Sequence, residues 1–348
     1  METFIQLEDG TVFKGRQFAG RRKKVGGHFL VHGTMIGHEE VMTDPANLDR
    51  LLIFTYPLVG GYGMNFEDNQ SEGPTISALI CRKAMENATN FRSEMDLKAY
   101  LDYHDVVGVE EADTRGLIRH LRKSGGQRGI ITDRLLTPSE MERFFAAENP
   151  NTIEAVSAVE VAEIEGGEKT VALWDFGVKD GTMEKLRELG FSVVVYPAMT
   201  NFDAILADRP DILFLSSGPG IAAQYVDIIQ DIREILGKVP IYATGLGAQF
   251  LGMALGGSLQ KLEQGHCGAS IPVKAADGRV YMTSQNHEYI VDDLPEDVER
   301  IYTHVSDQSI EGFYDAERRA YGVLFDPFGL SGARDLEQAE GDRLSTFA

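Results

Sequence analysis

The chain has 348 residues, more than one average domain and suited to two. Its 54 acidic residues against 33 basic ones give a net charge of -21, which repels phosphate backbones and argues against general nucleic-acid binding. No apolar run reaches the roughly 18–20 residues of a membrane span, and the two cysteines, Cys81 and Cys267, stand in no metal-ligand spacing. Neither a disulfide framework, a metal nor a cofactor is expected. The two scattered cysteines fit a reducing cytoplasm, which is the expectation, and the opening METFIQLEDG, without the basic start or apolar stretch of a signal peptide, reads as the first strands of a folded domain.

Residues 1–146 mix short β-type runs (FIQLEDGTVFKG, HFLVHGTMI, LLIFTYPLVGGYG, ISALICRKA) with a helical stretch, DLKAYLDYH. Next comes DTRGLIRHLRKSGG. Here Leu117, Ile118 and Leu121 recur at helical spacing, while Arg115, Arg119 and Arg122 fall on the opposite side. Asp113 is placed to cap the helix, and Gly125 with Gly126 to end it. The result is an amphipathic helix with a basic outer face on an acidic body.

Residues 147–168 read as a connecting segment rich in Ala, Glu, Asn and Gly. From residue 169 the pattern alternates: TVALWDFG strand, TMEKLRELG helix, FSVVVYPA strand, NFDAILADR helix, DILFLSSGPG strand and loop, AQYVDIIQDIREILG helix, PIYATGLG strand and turn, AQFLGMALGG helix. Near-continuous apolar strands alternating with helices predict an α/β domain with a mainly parallel central sheet covered on both faces. After Gly257 the run turns to β-hairpins, with Asp277-Gly278 as a two-residue turn. The domain is expected to run to residue 337, leaving residues 338–348 as a poorly ordered tail.

Two loops at strand ends draw notice. SSGPG, Ser216 to Gly220, frees backbone N–H groups for a ligand, as any tight glycine turn does. ATGLG, Ala243 to Gly247, has the small residues two before and two after the centre that a nucleophile elbow requires. Its centre, Gly245, has no side chain with which to attack. The overlapping GLGAQF lacks the third small residue of a dinucleotide fingerprint, because Phe250 stands there, and it sits in the fourth rather than the first βα unit.

LEDGTVFKG, GTMIGHEEVMTDP, TYPLVGGYGMN, NFR at Asn90 to Arg92 and DTRGLIRHLRKSG follow one another in the N-terminal half. WDFGVKDG, FLSSGPG, TGLGAQFLGMALGG, EQGHCGASIPVK, TSQNHEYIVD and GVLFDPFGLSG follow in the C-terminal half. In the order and spacing of these pieces the whole chain resembles the small subunit of carbamoyl-phosphate synthetase, whose C-terminal half is a class I glutamine amidotransferase. The resemblance implies an N-terminal mixed β/α domain that contacts a large synthetase subunit. It also implies an amidotransferase-like domain in which a cysteine attacks the glutamine amide, a histidine moves protons and a glutamate orients the histidine. On this sequence those positions are Gly245, Asp326 and Phe328.

The resemblance further assigns a vestigial glutamine pocket to Thr34, Gly218, Gly220, Leu246, Gln249 and Ser270. Thr34 replaces a serine, Ala248 a histidine, and Ser270 and Ile271 an Asn and a His. Cys267, with His266 and His287 expected nearby, is the leading place to which the chemistry could have moved, although a free cysteine is more often a small buried hydrophobe, and Thr244, next to Gly245, is a weaker candidate because adjacent residues in an elbow face differently. Asp113, Arg115, Arg119 and Arg122 become the expected interface with a large-subunit-like partner, arginine being suited to pairing carboxylates across a contact. The expected function is a glutaminase-inactive small subunit that stabilises or regulates a synthetase using free ammonia, with arginine, pyrimidine and more specialised pathways all left open. The alternatives are a metabolite-binding regulator using the old pocket, with glutamine or another small molecule as ligand, and an amidotransferase with relocated chemistry.

Overall fold

A computed structural model describes residues 2–147, 153–329 and 332–347. It divides into two compact units, residues 1–151 and 152–348.

The first unit opens with β1 (Glu2–Leu7), β2 (Val12–Ala19) and β3 (Lys24–His32), then the short helix α1 (His38–Met42). There follow β4 (Leu51–Phe54), β5 (Leu58–Val59), β6 (Ala78–Ile80), β7 (Lys83–Ala84) and α2 (Leu97–Tyr103). The unit ends with β8 (Val107–Glu110), α3 (Thr114–Ser124), β9 (Arg128–Thr132) and α4 (Pro138–Ala147). Seven strands close into a barrel in the order β1-β2-β8-β6-β4-β3-β9, and β5 pairs with β7 separately. Closure rests on β9, which pairs antiparallel with β1 (Ile5 opposite Ile131) and with β3 (Val25 opposite Ile131). Ile5, Leu51, Ile53, Ile80, Val107, Val109 and Ile131 form the barrel core, and Leu117 and Leu121 of α3 belong to the same cluster. The apolar side of α3 is therefore spent on the barrel, and its basic side faces outward.

The second unit begins with β10 (Ala162–Ile164), β11 (Thr170–Asp175), α5 (Asp180–Glu188), β12 (Ser192–Pro197) and α6 (Phe202–Ala207). It continues through β13 (Ile212–Leu215), α7 (Val226–Ile235), β14 (Ile241–Thr244) and α8 (Gly245–Ala254). Then come β15 (Ser258–Ala275), β16 (Val280–Asp292), β17 (Glu299–His304), β18 (Ile310–Asp315), β19 (Ala320–Val323) and α9 (Glu337–Phe347). One sheet holds all ten strands in the order β10-β12-β11-β13-β14-β19-β18-β17-β15-β16. The run β12-β11-β13-β14-β19 is parallel, and the flanking pairs are antiparallel.

Alternate residues of the parallel strands feed two cores. Trp174, Leu213, Leu215, Ile241 and Ala243 meet Ile205 of α6, Ile228 and Ile232 of α7 and Phe250 of α8 on one face. Val171, Leu173, Ile212, Phe214 and Tyr242 meet Leu186 of α5 and Leu344 and Phe347 of α9 on the other. Both faces are thus dry, which is why these strands read as unbroken apolar runs.

Two expectations need correction. Residues 338–348 were expected to form a poorly ordered tail, yet residues to Phe347 are helical in α9, with Glu340, Gly341, Leu344 and Phe347 buried. The fully buried Glu340 carboxylate holds the helix down: Oε1 accepts from the Tyr302 (2.9 Å) and Tyr321 (2.8 Å) hydroxyls and Oε2 from Tyr242 (2.8 Å). The expected connecting segment 147–168, of which 148–152 lie outside the described residues, supplies β10, which adds to the sheet edge beside β12, and the buried Ile153.

Candidate functional site

β14 runs into α8 with no intervening loop, so the strand-to-helix turn falls on Thr244 and Gly245. Gly245 takes φ +52°, a left-handed value that a side chain strains, and a Cβ there would stand 2.9 Å from Cβ of Ser217. The turn is pressed against the end of β13: the Gly247 N–H donates to the Ser216 carbonyl at 3.0 Å. The backbone is that of an elbow, and its apex carries only hydrogen.

The other two positions assigned to catalysis are engaged in holding structure. Asp326 Oδ2 accepts from the Lys179 ammonium at 2.6 Å, with both side chains largely buried, and Oδ1 accepts from the N–H groups of Phe328 (3.1 Å) and Gly329 (2.8 Å). Its own N–H donates to the Ser284 carbonyl at 2.9 Å. The carboxylate therefore ties the chain after β19 to the start of α5 and caps its own turn. Phe328 is buried in the core on the α9 side of the sheet, its ring nearly parallel to that of Tyr242 at 6.3 Å. Lys179 stood in the quoted WDFGVKDG, but only the fold brings it to Asp326.

Of the residues assigned to a pocket, Gly218, Gly220, Leu246 and Gln249 lie on the loop after β13 and on the first turns of α8. Gly218 abuts the Phe176 carbonyl so closely that a Cβ would sit 2.0 Å from its oxygen. Leu246 and Gln249 are buried. Gln249 donates from Nε2 to the Tyr289 carbonyl at 3.2 Å, while its Oε1 is buried with no hydrogen-bond partner. Ser270 is exposed, at the irregularity where β15 and β16 lose register between Gly268 and Ile271. Thr34 belongs to the first unit, where it is buried after β3 and its hydroxyl accepts from the Ile36 N–H at 3.2 Å.

His266 and His287 do meet, Nδ1 to Nε2 at 3.2 Å across β15 and β16, and they turn toward Glu311 of β18. Burial works to lower the His266 pKa, but the hydrogen bonds and charges of Glu311 and Asp307 outweigh it and raise it. Cys267 is the next residue along β15, so strand alternation turns it toward the opposite side of the sheet. Its fellow cysteine, Cys81, is buried in the first unit, where desolvation pushes its thiol up to about 12.

In α3, Asp113 caps the helix by accepting from the Gly116 N–H at 3.0 Å, and Gly125 ends it at φ 72°. Arg115, Arg119 and Arg122 are exposed. The polar contacts beside them run instead from His120 to Asp9 (2.6 Å), a hydrogen bond, and from Arg128 to Glu8 (2.5 Å), an ion pair.

No helix among the described residues is long and apolar enough to cross a membrane. Residues 5–131 match the carbamoyl-phosphate synthase small chain, CPSase domain, and residues 172–336 match glutamine amidotransferase class-I. A carbamoyl phosphate synthase small chain of Clostridium perfringens is 37% identical over 339 residues, covering 97% of each chain. The protein of that name from Akkermansia muciniphila is 35% identical over 96% of this chain and 94% of its own. The one from Caldanaerobacter subterraneus is 35% identical over 96% and 93%. Among solved structures, a glutamine amidotransferase of Thermotoga maritima aligns with a TM-score of 0.38 at 20% identity, over 51% of this chain and 84% of its own. Two family matches in the expected order, together with relatives alike over nearly their whole length, place this chain in the carbamoyl-phosphate synthase small chain family.

Proposed function

We propose that this chain is a glutaminase-inactive small subunit that stabilises or regulates a large synthetase subunit fed by free ammonia. The observation that carries the reading is the state of the three assigned positions together. Gly245 offers no nucleophile, Asp326 is committed to Lys179 and to its own turn, and Phe328 is core. A Cys/His/acid site needs a thiolate, a base within hydrogen-bond reach and a group to orient that base. None of the three roles has a residue at its assigned place.

The first unit supports the partner half of the reading. A closed barrel buries the apolar side of α3, so Arg115, Arg119 and Arg122 remain as a fixed, outward basic face on an acidic chain. A helix held rigid on a barrel offers guanidinium groups at low ordering cost to a partner bearing carboxylates. The test is coexpression with large subunits from the same genome. Copurification, with turnover supported by ammonia and not by glutamine, is the expected result. A chain that remains alone and leaves the stability and ammonia-dependent ATP turnover of those subunits unchanged refutes it.

The unpartnered, buried Oε1 of Gln249 favours a second reading, a polar metabolite held against the first turns of α8. Thermal shift with glutamine, glutamate and metabolites of the pathway distinguishes it, since a ligand at about 100 times its Kd adds roughly 2.7 kcal/mol. No shift with any of them leaves the Gln249 amide a purely internal group and removes this reading.

A further inference from the structure

Away from the elbow, four strands of the antiparallel half of the sheet bring five ligand-type side chains together. His266 comes from β15, His287 from β16, His304 from the end of β17, Asp307 from the turn after it and Glu311 from β18. Three atoms form a triangle: His266 Nδ1 to His287 Nε2 is 3.2 Å, His287 Nε2 to Glu311 Oε1 is 3.4 Å, and Glu311 Oε1 to His266 Nδ1 is 2.8 Å. All three side chains are buried, with Glu311 at 0% exposure.

A zinc ion with bonds of about 2.0–2.2 Å to N and O ligands sets its tetrahedral ligand atoms about 3.3–3.6 Å apart. Two edges of the triangle already lie within about 0.1 Å of that range. The third is a hydrogen-bond distance and needs to open by about half an ångström.

Two further features separate this cluster from an ordinary buried histidine. Glu311 Oε2 and His287 Nδ1 are buried with no hydrogen-bond partner, an arrangement that is costly in a dry interior. A cation at the triangle gives Glu311 Oε2 a partner by chelation, whereas His287, which would bind it through Nε2, keeps Nδ1 without one. Beyond the triangle, His266 Nε2 meets Asp307 Oδ2 at 2.9 Å. That is the relation in which a metal-bound imidazole donates its far N–H to a carboxylate, which fixes the tautomer and aims the other nitrogen at the ion. Asp307 Oδ1 in turn meets His304 Nδ1 at 2.9 Å, and the His304 ring stacks on His266 at 4.0 Å and 16°.

We propose that His266 Nδ1, His287 Nε2 and the Glu311 carboxylate form a binding site for a divalent transition-metal ion of the Zn2+ class, with Asp307 and His304 as positioning residues. Two imidazoles and one carboxylate suit Zn2+ over Mg2+ or Ca2+, which prefer all-oxygen shells. Binding exchanges the proton shared between His266 and Glu311 for the ion, and that proton leaves to solvent. The site ties four strands together and is independent of whether the elbow hydrolyses glutamine.

The full chain, stripped with a chelator, is titrated with Zn2+ against a chromophoric competitor, and its metal content is measured after desalting. One Zn2+ per chain is expected, with no uptake of Mg2+, and Co2+ should give the absorption of a low-coordinate N/O site. Glu311→Gln and His287→Gln should abolish retention. Should either fail to fold, Asp307→Asn changes a half-exposed positioning residue and should weaken Zn2+ binding about 10- to 100-fold with an unchanged far-UV spectrum. A chain that takes up no Zn2+, or variants that bind it as tightly as the parent, overturns the proposal and leaves a proton-bridged histidine–carboxylate network.

Discussion

Gly245→Cys puts a thiol at the apex of the elbow, and the structure sets both its cost and its effect. The glycine has φ +52°, where a residue with a Cβ costs about 1–2 kcal/mol, and that Cβ would stand 2.9 Å from Cβ of Ser217, so one of the two must shift. Together these give a destabilisation of about 1–3 kcal/mol. In a unit spanning residues 152–348, each kcal/mol lowers Tm by about 2–4 °C. The new thiol would sit at the N-terminus of α8, which favours the thiolate, so it should alkylate faster than Cys267. Even so, no glutaminase activity should appear, because Asp326 cannot serve as the histidine and Phe328 cannot serve as the acid. Thermal melts, iodoacetamide labelling and ammonia release from glutamine are the three readouts. An unchanged or higher Tm refutes the strain argument, and glutamine hydrolysis lost on alkylation shows that a base acts from a place other than Asp326.

Two further outcomes follow from buried carboxylates. Glu340→Ala leaves the hydroxyls of Tyr242, Tyr302 and Tyr321 without their acceptor at about 1–3 kcal/mol for each buried group, so it should destabilise strongly and expose α9 to proteolysis. Glu340→Gln, which keeps an acceptor oxygen, should cost less, and equal proteolysis rates for the two variants count against the clamp. In the first unit, burial pushes the Glu39 carboxyl up to about 8, although its Oε2 accepts from the Asn65 N–H at 2.6 Å. The folded state then keeps a proton that the unfolded chain releases near pH 4.5, so stability should fall as pH rises from about 4.5 to about 8, by up to about 1.4 kcal/mol per unit. Glu39→Gln should flatten that slope, matching the parent near pH 4.5 and exceeding it above pH 8; urea melts with parallel slopes in parent and variant remove this account.

Much of the fold was legible because local and tertiary demands coincide. Residues 171–175 of β11 and all of β13 are dry on both faces, so their apolar runs signal a parallel sheet without any partner being known. The small residues around Gly245 could be read for the same reason, since Gly247 must lie against the end of β13. Where sequence reasoning failed, the cause was a distant partner. EQAEGDRLSTF is polar enough to pass for a frayed tail, and it is helical because three tyrosines from β14, β17 and β19 converge on Glu340. The three residues of β10 form a strand only because β12 offers an edge.

The site was legible in part. Positions 245, 326 and 328 were assigned from motif order in the resemblance alone, and the pairing of Asp326 with Lys179 and the packing of Phe328 on Tyr242 needed the fold. His304, Asp307 and Glu311 gave no signal beside His266 and His287, because β18, β17, β15 and β16 are neighbours in the sheet in an order that chain order does not suggest. The stretch THVSDQSIEG, with a histidine and two acids within eight residues, was the one available hint.

The central claim is that the family's glutamine chemistry has been replaced here by structural contacts while the partner surface remains. It is tested most directly by purifying the chain with a large synthetase subunit from its own genome and measuring ATP turnover with bicarbonate on glutamine and on ammonia. Ammonia should support turnover in the complex and glutamine should not, and an Arg115→Glu/Arg119→Glu/Arg122→Glu variant should release the partner. Glutamine-supported turnover at a rate comparable to that with ammonia contradicts the account.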